Sequence, residues 1–273
     1  MIQVEKPLPK ISCLLVTAKN RFDYFARSYQ CYCDQTYSNR ELVIVNEGPS
    51  EYQQQIKDHV GERADVRFVF LDGYYTLGAL RNISIALCHG DVFVQWDDDD
   101  FNMPERLVVQ YGFLSKHPNA KVCYLTDQLH YYFPTQKLYW ENWERFLSGN
   151  IKEFSLIPGT LMAYKKDFIA KYPSAGNFAS AGEDSILAHD LCEDSNVILL
   201  RDKGYLHVYS FHGKNVYDIE HHQGISKHRS VSVPFMLENR KKINETLSHL
   251  RLAPKIECRG RDGFAFLYEE SQC

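Results

Sequence analysis

The chain has 273 residues, of which 44% are hydrophobic and 24% charged, and its formal net charge is −4. That is the balance of an ordinary globular protein, and so small a charge argues neither for nucleic acid nor for an anionic membrane as a partner. Residues 1–7 lack the apolar core of a secretion signal and no apolar run approaches a membrane span. With eight cysteines and only a lone Cys-x-Cys pair, Cys31 and Cys33, a cytoplasmic protein with reduced thiols is expected.

In chain order, the apolar run over residues 10–16 predicts a first strand, followed by a polar loop, Thr17-Ala18-Lys19-Asn20-Arg21. Phe22, Phe25, Tyr29 and Tyr32 recur at helical spacing and predict a helix to Cys33. Residues 40–45 predict a second strand, closed by the turn residues Asn46-Glu47-Gly48-Pro49, with Ser50 placed to cap a polar helix over 51–60. A strand over 66–71, a helix over 77–89 stopped by Gly90, and a strand over 91–96 complete the first half. The second half predicts a helix over 104–117, a strand over 121–125 and a hairpin of 129–133 with 137–140. A loop at 157–160, a strand at 161–164 and a helix from Gly182 to about 191 follow. Strands at 197–200 and 205–211 and a mostly polar helix over 234–250 come last, and residues 251–273 carry no firm periodicity. Strands alternating with helices at this spacing over 10–126 predict a parallel α/β sheet with helices on both faces.

The run Val92-Phe93-Val94-Gln95-Trp96 ends in four consecutive carboxylates, Asp97, Asp98, Asp99 and Asp100, with a helix initiated by Pro104 beyond. Four ionised neighbours repel one another unless a cation sits among them. Hard oxygen ligands suit Mg²⁺ or Mn²⁺. In open α/β sheets, ligands bind beyond the carboxyl ends of the strands. A metal-dependent site at the top of the sheet is therefore expected, the plainer alternative being a solvated acidic loop.

Four motifs now stand in order. They are Val16-Thr17-Ala18-Lys19-Asn20-Arg21, Leu42-Val43-Ile44-Val45-Asn46-Glu47-Gly48, Gly78-Ala79-Leu80-Arg81-Asn82 through Gly90-Asp91, and Trp96-Asp97-Asp98-Asp99-Asp100 with Pro104. Together they resemble the nucleotide-binding half of family 2 glycosyltransferases over residues 10–107. The resemblance implies the GT-A fold, a Rossmann-like three-layer α/β/α sheet with a C-terminal acceptor-binding extension. It divides the chain into a transferase domain over 1–230, with a nucleotide-sugar half at 10–107 and an acceptor half at 108–230, and a helical extension over 231–273. It also implies a nucleotide-sugar donor, a UDP-sugar by family habit. The base would be held at Thr17 and Glu47, and the rest of the nucleotide by Arg81, Asp97 and Asp98. Asp99 would bind the Mn²⁺ or Mg²⁺. Where the family usually has two aspartates, this chain has Asn46-Glu47; Glu47 can still accept the N3–H of uracil on a longer arm.

Gly182-Glu183-Asp184 resembles the motif at which inverting members place the catalytic base. An acceptor hydroxyl is a poor nucleophile, and a carboxylate must take its proton as the bond forms. In the first turn of a helix Asp184 would be kept ionised by the dipole, although acidic residues favour helix N-termini for that reason alone. Phe211-His212-Gly213-Lys214-Asn215 resembles the region of the family's nitrogen ligand, which makes His212 the second metal ligand and His207, His221 and His222 its competitors. Gly159, Thr160, Glu183 and Trp140 fall on the acceptor side, although strand aromatics such as Trp140 also fill cores.

The resemblance implies a glycan, glycolipid or polysaccharide precursor as acceptor and no nucleic acid. Arg240-Lys241-Lys242 offers peripheral contact with the inner face of a membrane or, more simply, a solvated helix face. No dinucleotide fingerprint, Walker A loop or nucleophile elbow occurs. The expected activity is metal-dependent, inverting glycosyl transfer with Asp184 as general base. The alternatives are a sugar nucleotidyltransferase, which the absence of a Gly-rich loop after the first strand disfavours, and an inactive GT-A-like scaffold that binds sugar or Ca²⁺.

Overall fold

The computed structural model describes residues 7–144, 156–192 and 196–270. Its first half alternates strand and helix: β1 (Ile11–Thr17), α1 (Phe22–Cys33), β2 (Arg40–Asn46), α2 (Ser50–Val60), β3 (Val66–Phe70), α3 (Leu77–Leu87) and β4 (Val92–Gln95). There follow β5 (Phe101–Asn102), α4 (Arg106–Ser115), β6 (Val122–Leu125), β7 (Asp127–Tyr132), β8 (Lys137–Asn142), β9 (Met162–Tyr164) and α5 (Glu183–Cys192). The last elements are β10 (Val197–Leu200), β11 (His207–Phe211), α6 (Ile219–Arg229), α7 (Val233–Glu238), α8 (Arg240–Leu250), β12 (Lys255–Gly260) and β13 (Gly263–Glu269).

A seven-stranded sheet runs in the order β10-β6-β9-β4-β1-β2-β3. β1 lies parallel to both β2 and β4, and β2 to β3, while β9 runs antiparallel between β4 and β6. Successive strand side chains point to opposite faces, and the sequence uses both. Cys13, Leu15, Ile44 and Val94 pack with Phe25 and Tyr29 of α1 and Ile56 of α2. Leu14, Val43, Val45 and Phe93 pack with Leu80 of α3 and Leu187 of α5 on the other side. Three layers result, as the alternation predicts. Because β1, β2 and β4 are parallel, Thr17, Glu47 and Asp97 leave the sheet at the same edge.

A second sheet of six strands runs β13-β12-β8-β7-β11-β5. Its apolar residues, among them Tyr131, Leu138, Trp140, Val208 and Ile256, belong to the same core as Ile11 and Leu15. The expectation of a helical extension over 231–273 holds for α7 and α8 but not beyond them. Residues 255–269 form a hairpin whose first strand pairs in parallel with β8. A register shift between Cys258 and Arg259 and the exposed Phe264 and Leu267 break the alternation that would have marked it in sequence. The single helix expected over 234–250 is two helices meeting at Asn239. α6 was not expected at all; its polar sequence has no apolar stripe, and its start is set by the Asp218 carboxylate, which accepts the His221 N–H at 2.9 Å. Among the described residues, no helix is long and apolar enough to cross a membrane.

Candidate active site

A cleft of about 390 Å³ opens at the carboxyl edge of the first sheet, within the size range of small-molecule sites. Thr17, Arg21, Glu47, Arg81, Asp97, Asp98, Asp99, Glu183, Asp184 and Lys214 all line it. Residues from six separate stretches of sequence therefore meet in one place.

The four aspartates do not share one environment. Asp97 Oδ1 lies 2.7 Å from an Arg81 nitrogen, and its Oδ2 accepts the Gln95 side-chain N–H at 2.9 Å. Gln95 is oriented in turn by the Tyr172 hydroxyl, which donates to its Oε1 at 2.8 Å. Asp98 is gripped by the Arg21 fork, with Nε at 2.9 Å and Nη2 at 2.6 Å from its two oxygens. Asp99 Oδ2 accepts from the same Arg21 Nη2 at 2.6 Å and lies 3.1 Å from His212 Nε2. Asp100 turns inward, is almost wholly buried, and accepts the Ser210 N–H at 3.0 Å. The repulsion that four adjacent charges imply is thus relieved by splaying them onto different partners. Burial raises Asp100 well above the ordinary carboxylate range, with the neighbouring Asp99 adding to it. Burial acts the same way on Asp99, but the His212 hydrogen bond and the Arg21 charge outweigh it and hold that carboxyl low.

His212 is placed by its own loop. Gly213 adopts φ +81°, a conformation natural to glycine, and Asn215 Oδ1 accepts the His212 N–H at 2.9 Å. The His212 ring stacks on Tyr24 with centroids 4.2 Å apart. Of its competitors, His207 is buried behind the cleft on Asn102, and His221 and His222 pack among the aromatics of α6 and β11. Asp99 and His212 fit a divalent ion. A carboxylate oxygen and an imidazole nitrogen side by side, 3.1 Å apart, are donor types that such an ion takes. Among the described residues no three His, Cys, Asp or Glu side chains converge on such a point, so phosphate oxygens and water would complete the shell. The Lys214 N–H donates to His212 Nδ1 at 3.1 Å, which puts the neutral ring's proton on Nε2; an ion at Nε2 would need the other tautomer, with the proton on Nδ1 and the Lys214 N–H turned away.

Arg81 holds the two walls together. It is 8% exposed, and besides Asp97 it reaches Glu183 Oε1 at 2.9 Å. The Arg81 guanidinium thus braces carboxylates in place of standing free for a nucleotide, and Glu183 faces Arg81 more than any acceptor. α3 is seated against the opposite wall by Gly78, whose N–H donates to the Ala179 carbonyl at 2.8 Å. A Cβ at Gly78 would lie 1.9 Å from the Pro173 carbonyl oxygen, so no other residue fits. Asp184 follows in the first turn of α5. Burial raises its carboxyl, Arg81 opposes that, and Asp97 adds to it, so the carboxyl is not held low as its place in the first turn alone suggested. A raised carboxylate is the stronger base once ionised.

The other expected residues divide. Thr17 lines the cleft, but its hydroxyl already meets the Tyr52 hydroxyl at 3.0 Å. Glu47 Oε2 accepts the Tyr75 N–H at 2.6 Å, which anchors the loop before α3. Gly159 lies under the site, where a Cβ would stand 3.1 Å from Asp97 Oδ2. Thr160 does not reach the cleft: it is wholly buried, donates to the Ile157 carbonyl at 2.7 Å and accepts from Leu125 N–H at 3.0 Å. Trp140 is also a correction, because its ring is buried in the second sheet and its indole N–H donates to Asp127 at 2.8 Å. Arg21, Gln95 and Tyr172 were missed. Nothing in sequence links Arg21 to a pair of aspartates 77 and 78 residues away.

The model of the family described as Glycosyl transferase family 2 matches residues 13–178. A Haemophilus influenzae protein described as an uncharacterized glycosyltransferase is 28% identical over 116 residues, 41% of this chain and 36% of that protein. The glucosyl-dolichyl phosphate glucuronosyltransferase of Haloferax volcanii is 25% identical over 191 residues, 66% of this chain and 61% of that protein. The chain thus spans between about a third and three fifths of these relatives. A crystal structure of Staphylococcus aureus TarS 1–349 in complex with UDP-GlcNAc superposes with a TM-score of 0.56 at 15% identity, covering 87% of this chain and 66% of that one. That likeness is one of fold, and it identifies the two-sheet architecture as GT-A. With the family model covering more than half of its length and the four consecutive aspartates Asp97 to Asp100, the chain belongs to glycosyl transferase family 2.

Proposed function

We propose that the chain transfers a glycosyl residue from a nucleotide-sugar, a UDP-sugar, to an acceptor hydroxyl with inversion at the anomeric carbon. The observation that carries this reading is that one cleft is lined both by Asp99, whose carboxylate meets His212, and by Asp184, with Arg81 bridging Asp97 and Glu183 between them in the same lining. Family membership and the nucleotide complexes of the TarS neighbours, one with UDP-GlcNAc and one with UDP, support the donor class.

In this reading Thr17 and Glu47 receive the base at the ends of β1 and β2. Glu47 keeps its Oε1 for the uracil N3–H, since Oε2 holds Tyr75. Asp97, held by Arg81 and Gln95, orients the ribose, and Asp98 keeps Arg21 beside the diphosphate. Asp99 and His212 would hold Mn²⁺ or Mg²⁺, which supplies Lewis-acid stabilisation where charge develops on the leaving diphosphate. Asp184 takes the proton of the acceptor hydroxyl as its oxygen attacks the anomeric carbon from the face opposite the diphosphate. The bond to the diphosphate oxygen breaks, its electron pair leaves with UDP, and one displacement inverts the centre. The acceptor is a glycan, glycolipid or polysaccharide precursor.

The test is hydrolysis and binding of a panel of nucleotide-sugars with Mn²⁺ and with EDTA, wild type beside Asp99→Ala and Asp184→Ala. Slow, EDTA-sensitive release of UDP from one donor, lost in Asp99→Ala, is expected. Asp184→Ala should bind that donor normally but fail to transfer. Binding of a donor without turnover, whatever the acceptor, would leave a scaffold; binding of none overturns the reading.

A further inference from the structure

The mouth of the cleft on the Asp184 side is apolar and aromatic. Tyr217 is 45% exposed, Val216 69% and Phe178 53%, and large apolar side chains grouped in the open mark contact sites. Tyr217 and Val216 line the cleft beside Glu183 and Asp184. A Cβ at Gly182 would stand 3.2 Å from the Tyr217 hydroxyl and 3.8 Å from Phe178 Cδ1. Both rings therefore flank the residue that leads directly into Glu183 and Asp184. Tyr217 is held in its plane: it stacks on His221 of α6, with centroids 4.4 Å apart and planes at 22°.

We infer that this rim is the acceptor subsite and that it takes a neutral pyranose, stacked on Tyr217 and Phe178 with one hydroxyl delivered to Asp184. The inference rests on the transferase reading above and names its substrate class. A pyranose has a C–H face that packs on an aromatic ring and an edge of hydroxyls that needs polar partners, and this rim supplies both within a few residues. Its charge selects against other acceptors. Glu183 and Asp184 stand on this wall, and the two guanidinium groups of the cleft are already committed, Arg81 to Asp97 and Glu183 and Arg21 to Asp98 and Asp99, so neither is free to take a phosphate or carboxylate of the acceptor. A lipid chain needs continuous apolar surface, which the same carboxylates interrupt. Tyr74, 84% exposed, lies beside the Glu47-anchored Tyr75 and belongs to the donor wall.

The experiment uses the full chain with UDP and Mn²⁺ present. Cello-, chito-, malto- and mannotetraose are the neutral probes, tetragalacturonate is the charged one, and UDP is titrated separately. Saturation-transfer NMR and calorimetry should find binding of at least one neutral tetrasaccharide. Tyr217→Ala should weaken it about tenfold or more and Phe178→Ala by less, while Tyr217→Phe, which keeps the ring, stays near wild type. UDP affinity should be the same in all four proteins. Equal saccharide binding by wild type and Tyr217→Ala overturns the inference, as does a wild-type chain that binds UDP but only tetragalacturonate or no saccharide at all. Loss of UDP binding by the wild type overturns the transferase reading itself.

Discussion

A carboxylate meets an imidazole both at the cleft and deep in the second sheet. At the cleft, Asp99 shares its oxygen between Arg21 and His212 and faces open space. In the second sheet Glu141, wholly buried, accepts from His130 Nδ1 and Ser226 Oγ, each at 2.7 Å, and from Gln128 Nε2 at 3.1 Å. Burial works to raise Glu141, but the His130 charge and hydrogen bonds hold it below the ordinary value. By residue type the second cluster is the more suggestive, since Ser, His and Glu are the parts of a nucleophilic triad. Yet His130, Ser226 and Glu141 are all buried and do not line the cleft that holds Asp99. Chemistry needs a way in for substrate, and partners that can be exchanged for it; the Glu141 network ties β7, β8 and α6 together instead.

That contrast can be broken at several points. The largest effect should come from Asp184→Asn, which is expected to slow transfer by about 10²–10⁴-fold, the usual worth of a general base. UDP affinity and melting temperature should stay as in the wild type. A similar loss of turnover in Glu141→Gln, with stability intact, would reverse the assignment of the two clusters. Glu141→Ala should instead lower unfolding free energy by about 3 kcal/mol or more, since it strands the buried His130, Ser226 and Gln128 groups that Glu141 now accepts from, read by urea denaturation. Its turnover per folded molecule should not change. Arg21→Gln removes a cation that shares the Asp99 carboxylate, so Mn²⁺ should bind about tenfold more tightly when measured by electron paramagnetic resonance of the free ion. Unchanged affinity would mean that the guanidinium and the ion do not compete.

The smallest effect concerns pH and the buried cluster alone. Burial, with His130 and His221 beside it, pushes His222 down to about 4 from an ordinary 6.5. The unfolded chain takes up a proton there that the folded chain refuses. The stability contribution is therefore complete above about 6.5 and is lost as pH falls toward about 4. Urea midpoints at pH 7 and pH 5 should differ more for the wild type than for His222→Phe. Equal differences would show that His222 is not desolvated as its position implies.

The first sheet was legible because its strands are buried on both faces and its helices carry apolar stripes, as in β1 with Cys13 and Leu15 on one side and Leu14 on the other. The cleft aspartates were legible because they are consecutive. What sequence hid was pairing across distance. Arg21 looks like one more polar loop residue until the fold lays it on Asp98 and Asp99. Trp140 misled for a related reason: an aromatic in a strand reads the same whether it faces a sugar or Asp127. α6 was invisible because its helix is fixed by an Asp218 cap and by ring packing of His221 and His222, which leave no hydrophobic period. Tyr217 drew no notice because its meaning depends on Gly182, 35 positions earlier, lying against its hydroxyl.

The Arg81 brace has a kinetic corollary. One guanidinium, carrying one charge, joins Asp97 on the donor wall to Glu183 on the other, 102 residues beyond Arg81 itself. A donor that draws Asp97 or Arg81 toward itself alters what holds Glu183, and with it the start of the helix that bears Asp184. Linkage is reciprocal, so an acceptor seated at that helix changes donor affinity by the same factor. The two substrates cannot be independent variables in such a cleft. The Michaelis constant for one will move with the concentration of the other, and the mutant that uncouples them is Glu183→Gln, which keeps the shape of the brace and removes its second charge.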